Sequence, residues 1–301
     1  MKFEGMKVLR LRSVFKIEEK GELPAYLGSM IRGVLSRSMR NLVCIAPNVQ
    51  CHLCKFSSTC DYTKRFNSAG NIAGSVNSYV VHVPSRNKVY WERGDTLTFD
   101  VTVFGSSTLA AEYYVAGILS MGDYGFGVRR LRFSPVQIMN VYDKSLVWSN
   151  GDLWVHNLLP DPLYVEGRVT NSVLLNFNSP TRIIVSKKLK RQLRFVDIIR
   201  ALLTRMRLLN HAYEGVILNW DETSMLEKAK NIRTVEESWG FVDFKRYSRT
   251  YDRKLNLPAI EGHVRFEGDI TPFTPLLEAG RVVHIGKNTT HGFGHYDLYY
   301  A

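Results

Sequence analysis

The chain has 301 residues, 45% of them hydrophobic, which is enough for one large or two ordinary domain cores and too much for a disordered polymer. Its formal net charge of +12 points to nucleic acid or an anionic membrane surface as partner. No 18-residue apolar run is present and the start, MKFEGMKVLRLR, lacks the apolar core of a signal peptide, so a cytosolic protein is expected.

The first half reads as strand, helix, two strands, helix, strand. Residues 6–17 alternate Leu9, Leu11, Phe15 and Ile17 with Arg10, Arg12 and Lys16, the pattern of a half-buried strand. Pro24 opens a helix with Leu27, Met30, Ile31, Val34 and Leu35 at helical spacing. Strands are expected near 79–90 and 96–104, then a helix at 108–120, the turn Gly122-Asp-Tyr-Gly125-Phe-Gly127 and a strand at 129–140. The second half repeats this order. Val173, Leu174, Leu175 and Phe177 precede a helix whose stripe is Phe195, Ile198, Ile199, Leu202, Leu203, Met206 and Leu209. Two strands fit within 236–270, a short helix runs from Pro272 to Gly280, and the last strand is Tyr296 to Tyr300. The fold class is therefore α+β: two tandem ferredoxin-like (RRM-like, βαββαβ) domains, 1–150 and 151–301, each with a glycine-rich loop before its last strand.

Four cysteines, Cys44, Cys51, Cys54 and Cys60, fall in an insertion at 44–60 with spacing C-x6-C-x2-C-x5-C. In a cytosolic chain this favours a structural metal, zinc or alternatively an iron–sulfur cluster, over two disulfides or free thiols. No Asp/Glu/His cluster suggests a catalytic metal. The loop Gly286-x5-Gly292-x-Gly294 carries Lys287 and His291, so it reads either as a phosphate cradle or as a helix cap followed by a bulge. Two cationic tracts stand out. One spans 187–207 and includes Arg191 and Arg194; the other holds Lys245, Arg246 and Arg249 among Phe244, Tyr247 and Tyr251. Cations for phosphates interleaved with rings for unstacked bases suit single-stranded RNA. No acidic residue occurs between Glu22 and Asp61, so the face of the first helix is cationic as well.

The segments Leu27-Gly-Ser-Met-Ile-Arg-Gly33, Met121 through Phe133, Trp239 through Ser248 and Gly286-x5-Gly292-x-Gly294, in this order, resemble the CRISPR-associated endoribonucleases of the RAMP superfamily that process precursor CRISPR RNA. The first glycine of the C-terminal signature falls at His284. The resemblance implies binding of CRISPR repeat RNA and its cleavage by metal-independent 2′-OH attack; the alternative it carries is a non-catalytic repeat-RNA-binding subunit of an interference complex. Partners expected on this reading are repeat RNA, other CRISPR-associated proteins and a second copy of the chain. Where the family places a histidine and a tyrosine or lysine in the first helix and after it, this chain has Arg32 and Arg37, and the nearest proton carriers are Tyr26 and His52. Arginine stabilises a phosphorane but is a poor acid or base.

Overall fold

In the computed structural model, residues 5–66, 76–84, 88–248 and 253–301 are described, the side chains of 246–248, 253 and 254 excepted. The chain is a mixed α/β protein built on antiparallel sheets and divides into two compact units, residues 5–162 with 212–215, and 163–211 with 216–301.

The first unit contains β1 (Lys7–Ile17), α1 (Gly28–Val43), β2 (Tyr79–His82), β3 (Thr96–Phe104), α2 (Ala111–Leu119), α3 (Met121–Tyr124) and β4 (Phe133–Asn140). Its sheet runs β2-β3-β1-β4, all neighbours antiparallel. The alternation along β1 puts Leu9, Leu11, Phe15 and Ile17 in the core, where Ile31, Leu35 and Met39 of α1 meet them. The opposite face of the strand pair holds a buried carboxylate. Asp100 stands across from Arg12; Arg12 Nε donates to its Oδ1 at 2.8 Å and Arg10 Nε to its Oδ2 at 2.9 Å. Burial would raise the Asp100 pKa, but the hydrogen bonds and charges of the two guanidinium groups outweigh it and hold it below the ordinary value. The unit runs on to Pro162: Asn150 and Gly151, both at positive φ, turn a hairpin between Leu146–Ser149 and Asp152–Leu153 that extends the sheet beyond β4.

The second unit contains β5 (Ser172–Thr181), α4 (Phe195–Tyr213), α5 (Glu222–Lys230), β6 (Arg233–Ser248), β7 (Arg253–Glu267), α6 (Thr274–Val283) and β8 (Asp297–Tyr300). Its sheet order is β6-β7-β5-β8, again antiparallel throughout. The α4 stripe is buried as its periodicity predicts. Pairing of β7 with β5 stops at Ile260, so from Val242 to Ser248 the β6–β7 pair has no third strand among the described residues and forms a two-stranded ribbon.

Several elements differ from the sequence reading. α1 begins at Gly28 rather than at Pro24, because Leu23 donates its N–H to Val89 and the chain there follows a strand. The helix expected from 108 opens as a tight turn, Gly105–Ala110, before α2. α5 is an unforeseen helix, capped by the Asp221 carboxylate, which accepts from Ser224 N–H at 2.9 Å. Its short, weakly patterned sequence gave no periodic signal. Among the described residues no helix is long and apolar enough to cross a membrane.

Candidate nucleic-acid interface

The C-terminal glycine loop is built inward. α6 ends at His284, whose φ of 59° and ψ of 166° belong to a region populated almost only by glycine. This is where the resembled signature has its first glycine, so the backbone demand persists although the residue has changed. The His284 ring compensates in part: its Nδ1 lies 3.1 Å from the Phe293 carbonyl oxygen. The loop then closes on itself and on β5. Ile285 N–H donates to Gly294 O, Gly294 N–H to Pro180 O and Lys287 N–H to Arg182 O, at 2.8 to 3.0 Å. His291 and Gly292 N–H groups also donate to carbonyls of the loop. The Arg182 guanidinium braces the same turn, donating to Pro258 O and to Asn288 Oδ1, each at 2.8 Å.

These bonds tie the loop to the rest of its own unit. The N–H groups of Ile285, Lys287, His291, Gly292, Phe293 and Gly294 donate to the protein's own carbonyls, and at Gly294, with φ of 76°, a side chain would collide with the Ile285 carbonyl. The close approach that glycine permits here is therefore between two stretches of this chain. His291 is only 6% exposed and Gly292 is buried, while Gly286 is half-buried and Lys287 is exposed.

The basic tracts of the same unit are partly committed. Lys190, Arg194 and Arg200 surround the buried carboxylate of Asp197 at 3.5 to 3.8 Å. The Arg191 guanidinium lies 5.1 Å from the centre of the Phe241 ring on β6. Phe244 packs edge-on against Phe293 at 5.3 Å, which makes it a structural ring. Lys245 is well exposed, with Asp243 at 3.3 Å. Arg246 lies on β6, and Arg249 falls outside the described residues.

In the first unit, α1 presents two unlike clusters. Arg32 and Arg37 are five residues apart, about 140° around the helix. Arg32 sits among rings: its guanidinium is 5.8 Å from the Phe66 centroid, its Nε is buried, and Phe66 stacks on Tyr79 at 4.3 Å. That position packs the Arg32 guanidinium against a core ring. Arg37 instead lies over the ring of Tyr124 at 5.9 Å, and Asn41, one turn further along α1, donates its Nδ2–H to the Tyr124 hydroxyl at 2.8 Å. The chain then enters a turn. Phe126 and Leu131 exchange backbone hydrogen bonds at 2.9 Å, Gly125 has φ of 64°, and Arg129, Arg130 and Arg132 are exposed. Tyr124, Asn41 and the three arginines escaped the sequence reading, because 83 positions separate Asn41 from Tyr124 and only the fold joins them. Tyr26 is half-buried in the segment before α1, and His52 is exposed in the single turn Cys51–Leu53.

The four cysteines are free thiols lining one small cavity of about 20 Å³. As placed, no three His, Cys, Asp or Glu side chains among the described residues form a set able to hold a metal ion, so the expected ligand set is not closed.

Two family models cover most of the chain. Residues 6–160, just over half of it, match AF_1859_N, described as an N-terminal domain, and residues 175–296 match the CRISPR-associated endoribonuclease Cas6. Among solved structures, a chain of a partial Cas6-RT-Cas1–Cas2 complex superposes with a TM-score of 0.62 at 12% identity, over 98% of this chain and 46% of that one. This chain thus spans under half the length of that relative. Thermus thermophilus Cas6 superposes with a TM-score of 0.58 at 11% identity, covering 98% of this chain and 99% of its own. A Cas6 product complex gives 0.61 at 11% identity, over 97% and 99%. At such identities these likenesses are of fold, and no curated protein sequence matches the chain. The model matched over residues 6–160 places the chain in the AF_1859_N family, residues 175–296 match the CRISPR-associated endoribonuclease Cas6 model, and the fold is shared with Cas6 structures.

Proposed function

We propose that the chain binds CRISPR repeat RNA and cuts precursor crRNA within it, using two tandem ferredoxin-like domains as the scaffold. The matching strand orders of the two sheets support the domain reading, and the Cas6 family match supports the substrate. The observation that carries the cleavage reading is the group of half-buried Arg37 and Tyr124 with exposed Asn41, next in the chain to the exposed arginines at 129–132. The turn supplies cations for phosphates on both sides of a scissile bond. In the reaction the ribose 2′-OH loses its proton, its oxygen attacks the adjacent phosphorus, and the 5′-oxygen leaves and takes up a proton. The products are a 2′,3′-cyclic phosphate and a 5′-hydroxyl. Arg37 stabilises the charge that builds on the phosphorane, and the Tyr124 phenol, oriented by Asn41, is the proton carrier. No step of this scheme calls for a catalytic metal. His52 is a second proton carrier close in sequence to α1. Lys245, Arg246, Arg249, Arg191, Arg194 and Lys287 extend the binding surface along the second unit.

The Cas6-RT-Cas1–Cas2 complexes show a Cas6 assembled with other CRISPR proteins, and assembly of this chain with such partners, or with itself, belongs to the same proposal. The test is incubation of purified protein with the repeat RNA of its own locus, in EDTA, with analysis of product ends. Cyclic phosphate ends that form in EDTA, and a loss of single-turnover cleavage in Tyr124→Phe with binding retained, support the reading. Cleavage abolished by EDTA overturns the metal-free scheme. Binding without any cleavage leaves a repeat-RNA-binding subunit.

A further inference from the structure

The insertion after α1 has no apolar core of its own. Ile45 and Leu53 are 77% and 71% exposed, and Val49 and Phe56 are exposed too. From Cys44 to Cys60 the residues that are not exposed are Cys44, Ala46, Cys51, Cys54, Ser57 and Cys60, and all six line a single cavity. The segment therefore folds inward around its cysteines. What holds it is local: Leu53 N–H to Gln50 O, Cys54 N–H to Cys51 O, Ser57 N–H to Cys54 O and Cys60 N–H to Phe56 O, at 2.9 to 3.3 Å. Arg40 of α1 lies at the cavity and donates to Pro47 O at 2.9 Å and Val49 O at 2.7 Å, tying down the stretch between the first two cysteines. Short turn bonds with no buried apolar side chains do not offset the entropy of ordering such a stretch. Units of this kind are held by a covalent or metal staple.

We propose that Cys44, Cys51, Cys54 and Cys60 form a tetrathiolate site for one Zn²⁺ that orders this insertion. Four sulfur ligands, two of them a C-x2-C pair on a tight turn, match the donor set of structural zinc. On binding, the thiols give up their protons and the metal–tetrathiolate unit acquires a net negative charge, with Arg40 at the cavity to offset it. Closing the ligand set brings together four thiols that already line one cavity. The insertion is accordingly expected to be tighter with metal than without it.

The test uses the full chain, purified under reducing conditions, and needs no RNA, so its outcome is independent of the cleavage reading. Elemental analysis is expected to give about one zinc per chain, and thiol titration to release four reactive thiols only after the metal is stripped. Co²⁺ replacing zinc should show intense tetrahedral thiolate absorption. Limited proteolysis between 44 and 60 should accelerate once a chelator removes the metal. Cys54→Ser should lose the cobalt spectrum while His52→Ala keeps it; if Cys54→Ser fails to fold, the wild-type cobalt titration decides alone. Freely titrating thiols with no zinc after reconstitution overturn the proposal. So do iron with acid-labile sulfide, or a mass that shows two disulfides.

Discussion

The two sheets share a strand order, and each unit has a glycine turn before its last core strand, yet the two turns are used in opposite ways. In the first unit the turn is a small hairpin with Gly125 buried at its base and Arg129, Arg130 and Arg132 in solvent. In the second unit the longer and more conspicuous loop is folded into the protein. Its Ile285, Lys287, His291, Gly292, Phe293 and Gly294 N–H groups donate to the chain's own carbonyls, its His291 is buried, and Lys287 is left as its exposed cation. The lesson is that glycine density reports close backbone approach, while the partner that approaches is decided by what lies across the turn. At Gly294 that partner is the Ile285 carbonyl; at Gly125 it is the Arg130 carbonyl, which leaves the tip of the hairpin outside.

The sharpest way to break this comparison is through cleavage. Arg37→Ala is expected to slow single-turnover cleavage by about 10²–10³-fold, the cost of losing one charge-stabilising group, with a much smaller loss of RNA affinity. Equal losses in both assays would demote Arg37 to a binding residue. Next in size is the structural role of the C-terminal loop. Gly294→Ala should destabilise the protein by about 2–4 kcal/mol, combining positive-φ strain with overpacking. Gly240→Ala, whose added carbon meets nothing closer than 3.8 Å, is its control. Denaturant unfolding of the two variants decides it, and an unaltered midpoint in Gly294→Ala with reduced RNA binding would restore the loop to the interface.

A third measurement separates the turns by electrostatics. Replacing Arg129, Arg130 and Arg132 together by Ala should reduce the salt slope of RNA binding by about 2, at roughly 0.7 per phosphate contact, whereas Lys287→Ala should remove no more than about 0.7. The reverse ranking would hand the phosphate-binding role to the second unit. The smallest effect concerns the first sheet under acid. The Asp100 pKa is depressed in the folded state, so its contribution to stability is full above the ordinary carboxylate value near about 4 and is lost as pH falls through the folded value. Asp100→Asn should flatten that part of the stability–pH profile, and an unchanged profile would mean that the Arg10–Asp100–Arg12 group does not couple to folding.

The sequence by itself determined the periodic elements. Alternation in β1 and the 3.6-residue stripe of α4 report one-sided burial, a property each segment carries locally, and both are buried as read. The order of core strands and helices was legible for the same reason. The cysteine spacing was likewise local, and it placed all four thiols on one cavity. Only the tertiary structure decided which polar groups face outward. Arg32 and Arg37 are indistinguishable as letters on one helix, but Phe66 takes the first inward and Tyr124 meets the second at the surface. Lys287 and His291 share one loop, yet pairing of the loop with Pro180 and Arg182 leaves the lysine in solvent and buries the histidine. Exposure of a charged or aromatic side chain depends on contacts between residues distant in sequence, and no local pattern encodes those.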